Sequence, residues 1–394
     1  MAATVYLDNA ATSPLAPAVA EAMRPWVSVS FGNPSSLHAT GRVARQAVDQ
    51  AREQVAALIG ADADEIVFTG SGTEADNLAL VGVADTFIAS DCHIVTSAIE
   101  HPAVLETCAY LARRGVGVSY LPVGVEGIVD PASLRSAIRP NTRLVSVMAV
   151  NNVVGTVQPV AELSGIAHEH GALFHTDAVQ AAGKLPLDVR SQSIDLLSLS
   201  SHKLNGPQGV GALYVRRQIT LEPLVHGGGQ EGGRRSGTEN VAGLVGFGCA
   251  ADLARATLPE ENVRLAALGE RALTGIESAV PGAYLVGDRY RRLPSHLCFG
   301  FRGQEGEAIR LLLALDEQCI AVSSGSACSA SHAGEPSSVL VAMGFDPIRA
   351  RGSLRLSLGR FTSEADIDRL LEVLPDAVQS LRPITSHPIP ALTN

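Results

Sequence analysis

The sequence predicts an α/β protein, with a mostly parallel central sheet in a large domain and a smaller α+β domain. Short apolar runs alternate with helical patterns through the middle of the chain, which implies βαβ units. Several of those runs are apolar almost throughout, as strands covered on both faces should be. The composition agrees: 394 residues, 46% hydrophobic, only 4% aromatic, and 38 glycines. That length exceeds one ordinary core and implies two or three domains.

Taken in order, the strands are expected at 65–69, 93–97, 117–121, 143–150, 173–176, 196–200 and 210–215. Helices are expected between them, for example over 73–83, 103–113 and 160–170. The stretch 225–238, with its HGGGQEGGRRSGT run, is too rich in glycine for a helix or a strand interior. A long helix is expected from about 240 to 279. The last third reads as α+β, with strands at 297–301 and 353–357. A closing helix follows, in which Ile367, Leu370, Leu371, Leu374, Val378 and Leu381 keep helical spacing behind a Thr362/Ser363 cap. The expected division is a large domain over 15–255, a small one from 1–14 with 256–381, and a tail over 382–394 that frays at its three prolines.

The net charge of −10 argues against bulk nucleic-acid binding, which needs basic surface. The N-terminal residues show no basic segment followed by an apolar one, and no apolar run approaches the roughly 20 residues of a membrane span. A cytoplasmic protein is expected. Six cysteines (Cys92, Cys108, Cys249, Cys298, Cys319 and Cys328) lie scattered with no C-x-x-C pair. In a reducing compartment that pattern gives neither disulfides nor zinc-ligand spacing. Cys92, Cys298 and Cys319 sit in or beside apolar runs and are expected to be inert core residues.

The most informative motif is Ser200-Ser201-His202-Lys203, directly after an apolar strand. A lysine there sits at a carboxyl strand end, where open α/β sheets place ligands, and lysine forms Schiff bases with carbonyl cofactors. An ordinary surface lysine is the alternative. Asp177 ends another strand; a carboxylate there could pair with a protonated pyridine nitrogen, or simply cap a helix. Gln180 could reach the ring's phenolic oxygen. Thr69-Gly70-Ser71-Gly72-Thr73-Glu74 is a strand, a small-residue turn and a helix start, which is an anion site or an ordinary capped helix. His101, between a strand and a helix, could stack on a flat cofactor and move protons. Cys328 lies in a run of small residues, Ser323 to Ser331, where a thiol is accessible as its thiolate. Arg355 interrupts an apolar strand and needs a partner, either a substrate carboxylate or a structural salt bridge.

Together these residues resemble the cysteine desulfurases of the NifS/IscS type, in the class V branch of the fold-type I pyridoxal-phosphate enzymes. The likeness runs from Tyr6-Leu7-Asp8-Asn9-Ala10-Ala11-Thr12 to Leu358-Gly359-Arg360-Phe361-Thr362. It includes Phe31-Gly32-Asn33-Pro34-Ser35, Glu100-His101, Asn151-Asn152, His175-Thr176-Asp177, His202-Lys203, Arg235-Ser236-Gly237-Thr238 and Ser323 to Cys328. It implies the fold-type I transferase (aspartate aminotransferase) fold and pyridoxal 5′-phosphate as cofactor. Lys203 would carry the cofactor covalently, Asp177 and Gln180 would hold its ring, and His101 would stack over it. Thr73, Ser200 and His202 would bind its phosphate. Thr238 would reach the phosphate of a neighbouring subunit in a homodimer. Asn152 and Arg355 would grip the substrate carboxylate, with Asn33 beside them. Two departures from the family pattern, Ser201 for Gly and Val153 for Glu, fall on no residue assigned chemistry.

The expected reaction removes sulfur from L-cysteine, leaving alanine and a persulfide on Cys328, with Lys203 as base and His101 as proton carrier. The sulfur would pass to an acceptor or scaffold protein; iron–sulfur assembly, transfer-RNA thiolation and DNA sulfur modification all stay open. An aminotransferase or a selenocysteine lyase on the same fold is the enzymatic alternative. A non-catalytic scaffold is the alternative of a different class, and it would have no need of Lys203 or Asp177.

Overall fold

The computed structural model describes residues 4–325 and 335–381. The chain opens with β1 (Val5–Tyr6), α1 (Pro17–Ser28) and α2 (Ala39–Leu58), then enters an alternating segment. That segment runs β2 (Ile66–Thr69), α3 (Gly72–Ala84), β3 (His93–Ser97), α4 (Pro102–Arg113), β4 (Gly117–Leu121) and α5 (Pro131–Ala137). It continues through β5 (Thr142–Ser146), α6 (Val160–Glu169), β6 (Leu173–Asp177), β7 (Leu196–Ser200) and β8 (Gly211–Val215). These strands form one seven-stranded sheet in the order β2-β8-β7-β6-β5-β3-β4. The pairs among β4, β3, β5, β6 and β7 are parallel, while β8 runs antiparallel to both β7 and β2. The sheet is therefore mostly parallel, and the carboxyl ends of β3, β5, β6 and β7 lie on one side of it.

Near-continuous apolar strands produce this arrangement because both faces are covered. On one side Val145, Phe174, Leu197 and Tyr214 pack with α2, α6 and the long helix described below; on the other Val67, Ile94, Leu144, Leu196 and Leu213 pack with α3 and α4. The strand expected over 143–150 stops at Ser146. Beyond Ser146 the Val147 and Ala149 N–H groups still donate to the β6 carbonyls of His175 and Asp177, but the Met148 N–H between them donates to both oxygens of the Glu100 carboxyl, each at 3.0 Å.

After the glycine-rich stretch comes α7 (Val241–Ala279), opened by Asn240, whose side chain accepts from the Gly243 N–H. This helix corrects one expectation: it is long and apolar enough, by length and composition, to cross a membrane. Its apolar face is spent within the protein, since Leu244, Phe247, Ala250 and Ala251 join the large core and Leu268, Ala272 and Ile276 the second one. Beyond it lie β9 (Ala283–Leu285), β10 (His296–Phe301), α8 (Ala308–Asp316), β11 (Ile320–Ala321) and β12 (Ser323–Ser324). Then follow α9 (Ser338–Ala342), α10 (Pro347–Arg351), β13 (Leu354–Ser357) and α11 (Glu364–Ser380). A four-stranded antiparallel sheet, β12-β13-β10-β9, packs with α8 and α11, while β1 pairs with β11. The cap of α11 is a capping box, in which Ser363 accepts from the Asp366 N–H and the Asp366 carboxylate accepts from the Ser363 N–H.

Cys92 and Cys298 are buried, and burial pushes each thiol up to about 11, so both are inert fillers as expected. Cys319 is not: it is exposed, at φ 58°, in the turn that joins α8 to β11. The apolar residues around it belong to the elements on either side, and the turn itself faces solvent. The tail 382–394 lies outside the described residues.

Candidate active site

One cavity of about 540 Å³ opens at the carboxyl ends of the sheet strands, within the size range of small-molecule sites. Three strand ends build it. β6 delivers Asp177, which is buried and accepts at Oδ1 from the Val179 N–H at 2.9 Å. Burial pushes the Asp177 carboxyl up, and the neighbouring His101 and Lys203 oppose that. A cationic ring nitrogen against this carboxylate would supply the compensation that a buried charge needs. β7 delivers Ser200 and then, through one tight turn, His202 and Lys203. The Lys203 ammonium donates to the carbonyls of Ala10 at 2.5 Å and Ala11 at 2.7 Å. Those carbonyls hold the amine at the cavity wall.

The third strand end is β2 with the turn into α3. Ser71 caps the helix by accepting from the Glu74 N–H at 3.1 Å, and the Glu74 carboxylate reaches back to accept from the Gly70 N–H at 2.7 Å. Thr73 stands exposed in the first helical turn, where free N–H groups and the dipole favour an anion. Close packing fixes this turn. A Cβ on Gly211 of β8 would lie 2.5 Å from the Ser71 carbonyl carbon, and one on Gly72 would lie 2.8 Å from Val179. His202 completes this side: its ring Nδ1 pairs with the Thr12 hydroxyl at 3.0 Å, and burial, then Lys203 and Lys184, push it down to about 4. It is a neutral hydrogen-bonding group near pH 7.

His101 caps α4, its Nδ1 accepting from the Ala103 N–H at 3.1 Å, which leaves the ring at the cavity edge. Gln180 is buried and lines the cavity, donating from Nε2 to the Ala10 carbonyl at 2.9 Å. Asn152 and Arg355 line it from the other side. The partner that Arg355 requires is Asp8, whose Oδ1 accepts from Nη2 at 2.8 Å; Nη1 donates to the Asn152 carbonyl at 3.0 Å. The structural salt bridge is thus present, and it orients the guanidinium into the same cavity.

Asn33 and Thr238 do not line the cavity of the single chain. Asn33 is exposed and accepts from the Ser35 N–H, and Thr238 is exposed in the glycine-rich stretch. Cys328 lies outside the described residues.

The sequence assigned no role to Asp8, Asp76 or Lys184. Asp76 lines the cavity from α3, fully buried; burial, then the charge of Asp177, pushes its carboxyl well up. Below it the His175 ring pairs with Ser146 at 2.8 Å and Ser198 at 3.0 Å, and burial holds it neutral at about 3. One signal was available: an aspartate, beside Asn77, in the otherwise apolar stretch Ala75 to Val83.

The chain belongs to the class-V aminotransferase family, whose model matches residues 5–370. Within that family it is 47% identical to the cysteine desulfurase IscS of Dictyoglomus turgidum, over 97% of this chain and 96% of that one. A solved NifS-like protein superposes with a TM-score of 0.89 at 37% identity, covering 96% of this chain and all of its own. The structure of SspA in complex with cysteine superposes with a TM-score of 0.76 at 37% identity, covering 91% and 99%.

Enzymes of this family depend on pyridoxal 5′-phosphate, and the donor set at the cavity fits it. A primary amine, a buried carboxylate, an amide, a neutral imidazole and a helix start with hydroxyls match an aldehyde, a pyridine nitrogen, a phenolic oxygen and a phosphate in turn.

Proposed function

We propose that the chain is a pyridoxal-phosphate-dependent cysteine desulfurase, which takes sulfur from L-cysteine and releases alanine. The observation that carries this reading is the meeting of Lys203 and Asp177 from adjacent strand ends in one cavity, with Arg355 turned into it. Lys203 would hold the cofactor covalently, Asp177 its ring nitrogen, Gln180 its phenolic oxygen, and Thr73, Ser200 and His202 its phosphate. When bound, the cofactor supplies an electron sink for the carbanion at the substrate Cα. Arg355 and Asn152 hold the substrate carboxylate, with Asn33 closing on it. Once freed by the substrate, the Lys203 amine takes the Cα proton, and His101 carries protons between substrate and solvent.

The Cys328 thiolate then attacks the substrate sulfur. A sulfur–sulfur bond forms, the substrate carbon–sulfur bond breaks, and the electron pair stays on the carbon fragment, which is protonated and leaves as alanine. The persulfide passes to an acceptor protein of iron–sulfur cluster assembly or thiolation. We read the working unit as a cytoplasmic homodimer, with Thr238 of each subunit completing the neighbour's phosphate site. The exposure of Thr238 supports that role. We likewise read the boundary between the large and small domains at about residue 255.

Lys203→Ala should lose the visible absorbance of the cofactor-loaded protein. Cys328→Ala should keep that absorbance and lose alanine formation from cysteine. Alanine and sulfide production in vitro checks both, and a colourless wild-type protein in the presence of cofactor would overturn the reading.

A further inference from the structure

We infer that Lys184 is a positioning residue, which locks the side-chain amide of Gln180 so that one N–H is kept for the phenolic oxygen of the cofactor. The inference rests on the role proposed for Gln180 above and adds a residue to it.

The local chain explains the placement. After Asp177 the backbone winds through a turn in which the Ala181 and Ala182 N–H groups donate to Ala178 and those of Lys184 and Leu185 to Ala181. This turn brings position 184 back to position 180. Gly183, at φ 66°, tightens the turn against Leu204 and Ala254; a Cβ there would come within 2.7 Å of the Leu204 side chain. The turn thus folds Lys184 inward. Its Nζ donates to Gln180 Oε1 at 3.3 Å.

A carboxamide can flip end for end, and the flip matters here. Gln180 Nε2 already gives one hydrogen to the Ala10 carbonyl. While it is protonated, Lys184 is a donor without an acceptor, so only the amide oxygen can then face it. The two contacts impose the same orientation, and the second Nε2 hydrogen is left for the cavity that Gln180 lines. The flipped amide would set two oxygens against each other at Ala10 and two donors against each other at Lys184.

A lysine with no task here would extend its long stem to water. Instead Lys184 is half-buried with its ammonium on Gln180, and its environment resists it. Lys203 and Arg355 repel it, His202 and His296 lie within its field, and Glu261 and Arg360 line the small cavity behind it. Burial first, and then Lys203 and Arg355, push the ammonium down to about 7.

The test uses the cofactor-loaded enzyme and reads the pH midpoint of its visible absorbance band, not turnover. A donor on the phenolic oxygen withdraws charge from it and weakens its hold on the nearby proton. Gln180→Ala and Lys184→Met should each raise the midpoint, by about one unit, or tenfold in proton affinity. The double variant should move no further than Gln180→Ala alone, and Lys184→Arg should behave as wild type. Lys184→Leu replaces Lys184→Met should the latter not melt cooperatively. Full additivity in the double variant, or an unmoved midpoint in Lys184→Met with a shifted one in Gln180→Ala, overturns the role of Lys184 and leaves that of Gln180 intact. An unmoved midpoint in Gln180→Ala overturns both.

Discussion

Asp177 shows how much of this site is decided by single residues. Its carboxylate is buried at the end of β6, with one hydrogen bond from its own turn, and with His101 and Lys203 opposing the effect of burial. Such a group is costly unless it meets a positive partner, and in the proposed function a pyridinium nitrogen is that partner. Asp177→Asn keeps the shape and removes the charge. It should lower alanine formation by about a hundredfold or more, on the scale of losing one preorganised electrostatic contact, while Lys203 still binds the cofactor; steady-state rates and the absorbance spectrum check the two halves. Arg355 shows the opposite economy. The sequence left its partner undecided between a substrate and a salt bridge, and Asp8 supplies the bridge from 347 residues away in the chain. Such a pairing has no local signature.

Elements set the positions of these residues, and here the pattern was readable. β3, β4 and β7 start and stop where expected; β3 and β7 are buried at every position, as strands covered on both faces must be, while β4 at the sheet edge is only partly buried. Lys203, Asp177, Ser200 and His202 were legible because they follow such runs, and carboxyl strand ends converge. What was not legible came from long-range packing. Past the end of β5, Glu100, in the turn after β3, takes the Met148 N–H together with the Ser97 hydroxyl. Asp76 and Lys184 look like ordinary polar positions until helix and turn carry them inward. Glu100 also carries a measurable consequence. Burial raises its carboxyl from 4.5 to about 8, so the folded protein holds the proton more tightly than the unfolded chain. The stability it contributes is fully present below about pH 4.5 and is lost as pH rises through about 8. Melting temperatures of wild type and Glu100→Gln across that window should diverge, with the wild type falling faster; parallel curves would contradict the assignment.

At the scale of the whole molecule, two packed cores meet at the cavity. The large sheet brings Asp177, Ser200, His202 and Lys203, while β13 and the segment after β1 bring Arg355 and the Ala10 and Ala11 carbonyls. The long helix α7 contributes buried residues to both cores. The account's central claim is that sulfur from cysteine ends on Cys328 by way of Lys203. Its most direct test is mass spectrometry of the peptide containing Cys328 after the loaded enzyme meets isotopically labelled cysteine. The account predicts one added labelled sulfur atom on Cys328 in the wild type and none in Lys203→Ala. Labelled sulfur on no cysteine, on a different cysteine such as Cys319, or on Cys328 in the absence of Lys203, would contradict it.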